Sequence, residues 1–189
     1  MYQKYQTEAL VLGSRERGES DRIFSLYTKD FGLVQARASA VRTERSRMRY
    51  ALQHYSHAHV ALVRGKRGWR LGGATVLGEW MALEGAVTFA RTVRLVLRLV
   101  AGEERNDYLF AALSEARSAL SKSSQEMFPT IEIVCVARIL FALGYLSSEA
   151  LQTTLFAHAA YTERDLAEAT VLREKLLTSI NRAISESHL

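Results

Sequence analysis

Two textures of apolar and polar positions divide the chain near residue 80. Residues 7–80 run as brief apolar stretches between Gly- and Asp-containing turn signals, the pattern of an antiparallel meander. The Thr7–Leu12 run ends at Gly13, and the polar GSRERGES stretch leads into a strand over Ile23–Thr28. The turn KDFG at 29–32 introduces Leu33–Ala40. Alternation there places Val34, Ala36 and Ala38 on one face and Gln35 and Arg37 on the other, predicting a half-buried strand with a basic outer side. SRMRYALQHY at 46–55 is helix-compatible, with Met48, Ala51, Leu52 and Tyr55 on one side. Two further strand-like runs follow, His57–Val63 and, after the turn RGKRG, Trp69–Leu77. Within the latter, Gly72-Gly73 predicts a bend or bulge rather than a phosphate loop. Three strands, a short helix and two strands is the order of an OB-fold, a five-stranded barrel.

From about Glu79 the turn-rich texture gives way to Ala, Leu and Val at helical spacing. The periodicity predicts helices over roughly 80–102, 107–122 and 129–145, then shorter pieces and a last helix over about 163–186. Pro129 fits the first turn of its helix, where a missing N–H is harmless. Thr162–Asp165 resembles a capping box, and Leu166, Ala169, Leu172, Leu176, Ile180 and Ile184 form one apolar stripe beyond it. The expected fold class is α+β in two domains: an N-terminal five-stranded OB-fold β-barrel over 1–79 and an all-α helical domain over 80–189.

Composition supports a folded globular chain, with 48% apolar and 24% charged residues in 189. The longest apolar runs are broken by charge within a few residues, as in LEGAVTFARTVRLVLRLVAGEER, so no stretch is expected to span a bilayer. MYQKYQTEAL lacks the features of a secretory signal, and the single cysteine, Cys135, has no disulfide partner. The expectation is a soluble cytoplasmic protein, bacterial and nucleoid-associated if it handles DNA. Charge sharpens the division. Residues 1–80 carry 14 Lys and Arg against 7 Asp and Glu, a net of +7, whereas 81–189 carry 11 against 13, a net of −2. A basic half joined to a near-neutral half points to a polyanion-binding module attached to a packing or partner module. Lipid head groups are polyanions as well as nucleic acids.

The succession TEALVLGSRERGESDRIFSLYTKDFGLVQARASAVRTERSRMRYALQHYSHAHV resembles the opening of the RecO family of bacterial recombination mediators. The matching features are Thr7–Leu12, the Gly18, Glu19, Asp21 and Arg22 cluster leading into a strand, then Thr28 and Gly32. They continue through Ala36 and Ala38, a basic segment ending in Ser46 and Arg47, and Leu52. FALGYL at 141–146 is similar to a helix end where the family often reads LG. Many members place a four-cysteine zinc site soon after it, but here SSEALQTTLF follows without cysteine, so a short, zinc-free member is expected. The resemblance implies an OB-fold on a helical domain and binding of single- and double-stranded DNA. It further implies annealing of complementary strands and, with RecR, help in loading RecA onto DNA coated by the single-strand-binding protein SSB.

The residues suited to that work are arginines. Arg37, Arg42, Arg45, Arg47 and Arg49 face one acid, Glu44, within 37–49, and residues 41–47 fall between the third strand and the helix. Guanidinium makes paired bonds to phosphate oxygens and stacks on bases. A second cluster, Arg64, Lys66, Arg67 and Arg70 with Trp69 among them, surrounds the last hairpin turn. The two clusters are expected to flank the barrel's binding face, with Arg15 and Arg17 added from the first strand and offset by Glu16 and Glu19. Trp69, Tyr50 and Tyr55 are candidates to stack on bases, and equally candidates for barrel core or rim. The bland alternative for the arginines is a pair of solvated loops that aid solubility. On the helical side, Arg91, Arg94 and Arg98 share one helical stripe, extended by Arg105 if the helix continues. They suit either plain solvation or, as in the family, the acidic, hydrophobic SSB C-terminal tail.

Other chemistry is poorly represented. Glu103, Glu104 and Asp107 read as a solvated helix end. His54, His57 and His59 lack companion ligands for structural zinc, and Cys135 lies in the apolar run IEIVCVARIL as a small buried hydrophobe. No Walker loop, GxSxG or HExxH is present, so a non-enzymatic protein without cofactor or metal is expected. Two other function classes stay open at this point: an OB-fold RNA-binding protein in translation or RNA handling, and a protein-interaction scaffold whose arginines meet an acidic partner.

Overall fold

The computed structural model of the chain describes residues 3–42 and 46–186. They form two compact units: one runs to Trp80 and takes in Val100–Asn106, and the other comprises Met81–Leu99 and the chain from Asp107 onward.

In the first unit five strands, β1 (Gln3–Arg17), β2 (Asp21–Thr28), β3 (Gly32–Ala38), β4 (His57–Gly65) and β5 (Gly68–Leu77), close a barrel in the order β1-β2-β3-β5-β4. With the single helical turn α1 (Met48–Ala51) between β3 and β4, this is the expected OB-fold. Alternate residues of every strand point inward, and Ala9, Phe24, Leu26, Val34, Ala36, Val60 and Leu62 are fully or almost fully buried.

Three local departures have physical causes. β1 does not stop at Gly13: its first half pairs with β4 and its second with β2, and the register slips between Val11 and Gly13. The bulge bends one long strand across two neighbours, and Ser14–Arg17 escape an apolar-pattern search because they lie at the barrel rim. The 46–55 helix is reduced to one turn. The Ser56 hydroxyl donates to the carbonyls of Ala51 (2.7 Å) and Gln53 (2.8 Å), while the Tyr55 N–H donates to Val11 (2.7 Å), drawing the chain back toward β1. In β5 the register slips opposite Ala61 and Leu62, so Gly72 is the extra residue and the expected bulge is present.

The second unit contains α2 (Leu83–Leu99), α3 (Asp107–Lys122), α4 (Phe128–Ala142), α5 (Ser148–Leu151), α6 (Glu163–Val171) and α7 (Arg173–Glu186). α4 is predominantly apolar and sits centrally, touching α2, α3, α6 and α7. Pro129 occupies its first turn, and Thr162 and Asp165 form the reciprocal capping box of α6. α2 is shorter than the expected 80–102. The expected last helix is divided at Leu172, yet Leu172 N–H still bonds Glu168 and Leu176 N–H bonds Leu172, both at 2.9 Å. The ladder therefore continues through the bend, which is why the apolar stripe keeps its period.

Candidate nucleic-acid interface

Strand parity sorts the basic side chains of the barrel. Arg15 and Arg17 of β1 stand opposite Ile23 and Asp21 of β2, and Ile23 stands opposite Arg37 of β3. The intervening Phe24 and Ala36 face the core, so this row lies on the outer surface. Arg15, Arg17, Arg37 and Arg67 line an open cleft of about 590 Å³ whose neutral walls include Ile23, Leu33, Gln35 and Gly68. Arg70 of β5, also exposed, is the parallel-strand partner of Arg37. Like charges set side by side disfavour each other unless an anion lies over them.

Arg37 is the best-anchored cation of the cleft. Its Nε donates to Asp21 Oδ2 at 2.7 Å and its Nη2 to the same oxygen, while Asp21 Oδ1 accepts the Ala40 N–H at 2.9 Å. The Ala40 N–H first, and then the Arg37 guanidinium, hold the Asp21 carboxyl below the usual range. Asp21 thereby ties β2 to β3 and to the turn after β3, and fixes the direction of Arg37.

The hairpin cluster divides. Lys66, Arg67 and Arg70 are exposed. Arg64 is engaged: its Nη1 donates to Glu103 at 2.8 Å, and its guanidinium lies 4.9 Å from the Trp69 ring centroid. Glu103 also borders the cleft, so the acidic patch expected to solvate a helix end instead supplies a carboxylate to the basic surface. Trp69 is not a stacking platform in this structure. It is 4% exposed and packs with Tyr5 and Phe31, at centroid distances of 5.5 and 5.1 Å. Tyr50 is exposed, and Tyr55 is half-buried in the left-handed backbone region.

The 37–49 cluster is also split. Arg37 belongs to the outer cleft, whereas Arg42 and Arg49 line a separate pocket with Arg22, a residue outside the sequence-derived set. Arg47 is exposed and lines neither, and Arg45 lies outside the described residues. No hydropathy signal marks Arg22; it shares the strand row of Phe24 and Leu26 on β2, but its side chain is 39% exposed and reaches out to Glu16.

On α2, Arg91, Arg94 and Arg98 are all exposed, as are Leu83, Val87 and Leu97. Arg91 makes a two-pronged bond to Glu132 of α4, at 2.6 and 2.7 Å. Arg94 and Arg98 have no such ion pair among the described residues. Cys135 is buried, and burial pushes its thiol up to about 12, which leaves no useful thiolate. Among the described residues no group of three or more His, Cys, Asp or Glu is placed to hold a metal ion. No helix among them is long and apolar enough to cross a membrane.

A family model described as "Recombination protein O N terminal" matches residues 1–74, which hold all of the barrel except the last residues of β5. The barrel is similar to the N-terminal part of the RecO family. Among curated RecO relatives, the DNA repair protein RecO of Heliobacterium modesticaldum is 34% identical over 147 residues, 75% of this chain and 52% of that protein. RecO of Desulfitobacterium hafniense is 44% identical over 62 residues, 33% of this chain and 23% of that protein. RecO of Dehalococcoides mccartyi is 26% identical over 125 residues, 64% of this chain and 49% of that protein. The RecO likeness thus runs beyond the barrel into the helical unit, and the aligned part spans about half the length of the longer-matching relatives.

Proposed function

We propose that this chain is a DNA-binding, non-enzymatic mediator of recombinational DNA repair, and that the outer cleft of its barrel carries the DNA. The observation that bears most weight is the convergence of Arg15, Arg17, Arg37 and Arg67 on one open groove of an OB-fold whose family members are named DNA repair proteins. Guanidinium groups around neutral walls suit a phosphate backbone without base specificity. In this proposal the protein binds single- and double-stranded DNA, anneals complementary strands and, with RecR, assists RecA loading on SSB-coated strands.

Annealing of complementary oligonucleotides coated with SSB tests the mediator activity: the purified chain is expected to accelerate it, and no acceleration overturns that role. Binding itself is read separately. Four phosphate contacts on single-stranded DNA correspond to a log–log salt slope of about −3. Replacing Arg15, Arg17 and Arg67 together by Ala is expected to flatten the slope and weaken binding, while Arg37 is left in place because it holds Asp21. An unchanged slope removes the cleft from the interface. Running RNA of the same sequence in parallel distinguishes a DNA from an RNA protein. RecR capture is checked by pull-down.

For the SSB tail, α2 is the favoured surface. Exposed Leu83, Val87 and Leu97 accompany Arg94 and Arg98, which matches an acidic peptide ending in apolar residues. Arg91 contributes less, being held by Glu132. Titration of a labelled tail peptide should weaken with Arg94→Glu/Arg98→Glu; equal affinity removes this surface.

A further inference from the structure

We propose that Arg64, lying over Trp69 at the last hairpin of the barrel, is a platform on which an unpaired nucleobase stacks. Such a platform presupposes the outer cleft as the track of the phosphate backbone, and adds to it a contact that only a single strand can make. Arg64 and Trp69 are direct partners across β4 and β5, and the guanidinium sits over the indole, 4.9 Å from its ring centroid. Beneath it the indole is wedged in place. Tyr5 and Phe31 pack on Trp69 at 5.5 and 5.1 Å and on each other at 5.0 Å. From the side, Glu103 accepts a bond from Arg64 Nη1 at 2.8 Å. A free arginine loses much rotamer freedom when a ligand orders it, and here the ordering precedes the ligand.

Although held from below and from the side, the Arg64 side chain is 57% exposed, so its surface away from the indole meets solvent. A guanidinium face is weakly hydrated and stacks on flat aromatic groups, nucleobases among them. Phosphate suits this position less well. A phosphate oxygen brought to Nη1 would have to displace the Glu103 carboxylate or stand beside it. Lys66 and Arg67, exposed at the turn of the same hairpin, offer phosphates less encumbered partners. Arg67, Trp69 and Glu103 all line the outer cleft, so a strand lying there passes the platform. In a duplex the bases are already stacked on one another and paired, whereas an unpaired base presents its face to a side chain. The platform thus gives single strands an advantage that phosphate contacts alone do not supply.

The test is fluorescence anisotropy of the full chain with two labelled single-stranded oligonucleotides of equal length, one bearing its bases and one abasic throughout. Both carry the same phosphates, so the ratio of their affinities isolates the bases. The base-bearing strand is expected to bind about tenfold more tightly, the effect of one good stacking contact. Arg64→Lys keeps the charge but has no planar face, and should bring the ratio close to one. Glu103→Gln should tighten both strands, because a negative charge is lost, yet lower the ratio, because the guanidinium loses its fixed direction. Misfolding cannot tighten binding. A ratio near one in the parent overturns the platform, and so does a ratio that both variants leave intact. Equal weakening of both strands by Arg64→Lys also overturns it, since Arg64 then serves a phosphate. The cleft is read separately, from the salt slope of the abasic strand when Arg15, Arg17 and Arg67 together become Ala. An unmoved slope with a ratio lost in Arg64→Lys removes the cleft and supports the platform. A flattened slope with a parent ratio near one keeps the cleft and overturns the platform.

Discussion

Arg138 shows how much one side chain can organise. It is fully buried in α4, and its Nε, Nη1 and Nη2 donate to the carbonyls of Leu155 (2.9 Å), Ala159 (2.6 Å) and Ala160 (2.9 Å). The guanidinium also lies 4.7 Å from the Tyr161 ring centroid. Residues 155–160 belong to no helix or strand, so their carbonyls lack the partners that regular structure provides. A planar fork with five donors meets three of them at once, which a single ammonium group cannot do. Arg138→Met should therefore destabilise the helical unit by roughly 1–3 kcal/mol for each acceptor left buried and unpaired. Arg138→Lys should recover only part of this loss. Urea unfolding followed by circular dichroism reads both variants, and a Met variant as stable as the parent would show that the carbonyls find other partners.

At the scale of elements, Val100–Asn106 departs most from expectation, because a stretch placed at a helix end belongs instead to the barrel unit. Among its contacts with the barrel are Glu103 on Arg64 and the Glu104 backbone against Gly32. Gly32 has a φ of +63°, and a Cβ there would stand 2.1 Å from the Glu104 carbonyl oxygen. Gly32→Ala is thus refused both by backbone conformation and by space, and should cost more than about 1 kcal/mol in urea unfolding of the barrel. Glu103→Gln tests the other contact. It releases Arg64 and removes a negative charge from the cleft edge, so single-stranded DNA should bind more tightly, by a factor that shrinks as salt rises. Unchanged affinity at low salt would place Arg64 outside the interface. Local patterns could announce the strands, because burial on one face imposes a period of two on Val34–Ala38. They could not announce Glu103 meeting Arg64 across 39 positions of chain, since charge placement at the rim leaves no periodic mark.

At the scale of the whole molecule, the division into a basic barrel and a near-neutral helical unit was legible in composition and texture. The way the arginines share out between two sites was not. It depends on strand register, and a shift of one residue would exchange the outer row of Arg15, Arg17 and Arg37 with the row of Glu16 and Arg22. Both units also carry carboxylates whose charged form the fold favours, which makes a prediction about acid. In the barrel, Asp21 is lowered by the Ala40 N–H and by Arg37. In the helical unit, Glu168 is lowered chiefly by the Thr153 hydroxyl and then by Thr154. Burial alone would raise Asp165, but the backbone N–H and hydroxyl of Thr162 outweigh it and the net shift is downward. In each case the folded state holds its proton less tightly than the unfolded chain, whose carboxyls titrate near pH 4. The stabilisation is therefore complete above about pH 5, and it is lost as the pH falls through about 4 toward the lower folded values. Urea midpoints should be level between pH 7 and 5 and fall below it. Fluorescence of the buried Trp69 reports the barrel, and circular dichroism reports mainly the helices. Asp21→Asn should lower the barrel midpoint at pH 7 and flatten its acid decline, leaving the helical decline in place. A barrel midpoint in Asp21→Asn that falls with acid as steeply as the parent's would mean that other carboxylates carry the barrel's acid sensitivity.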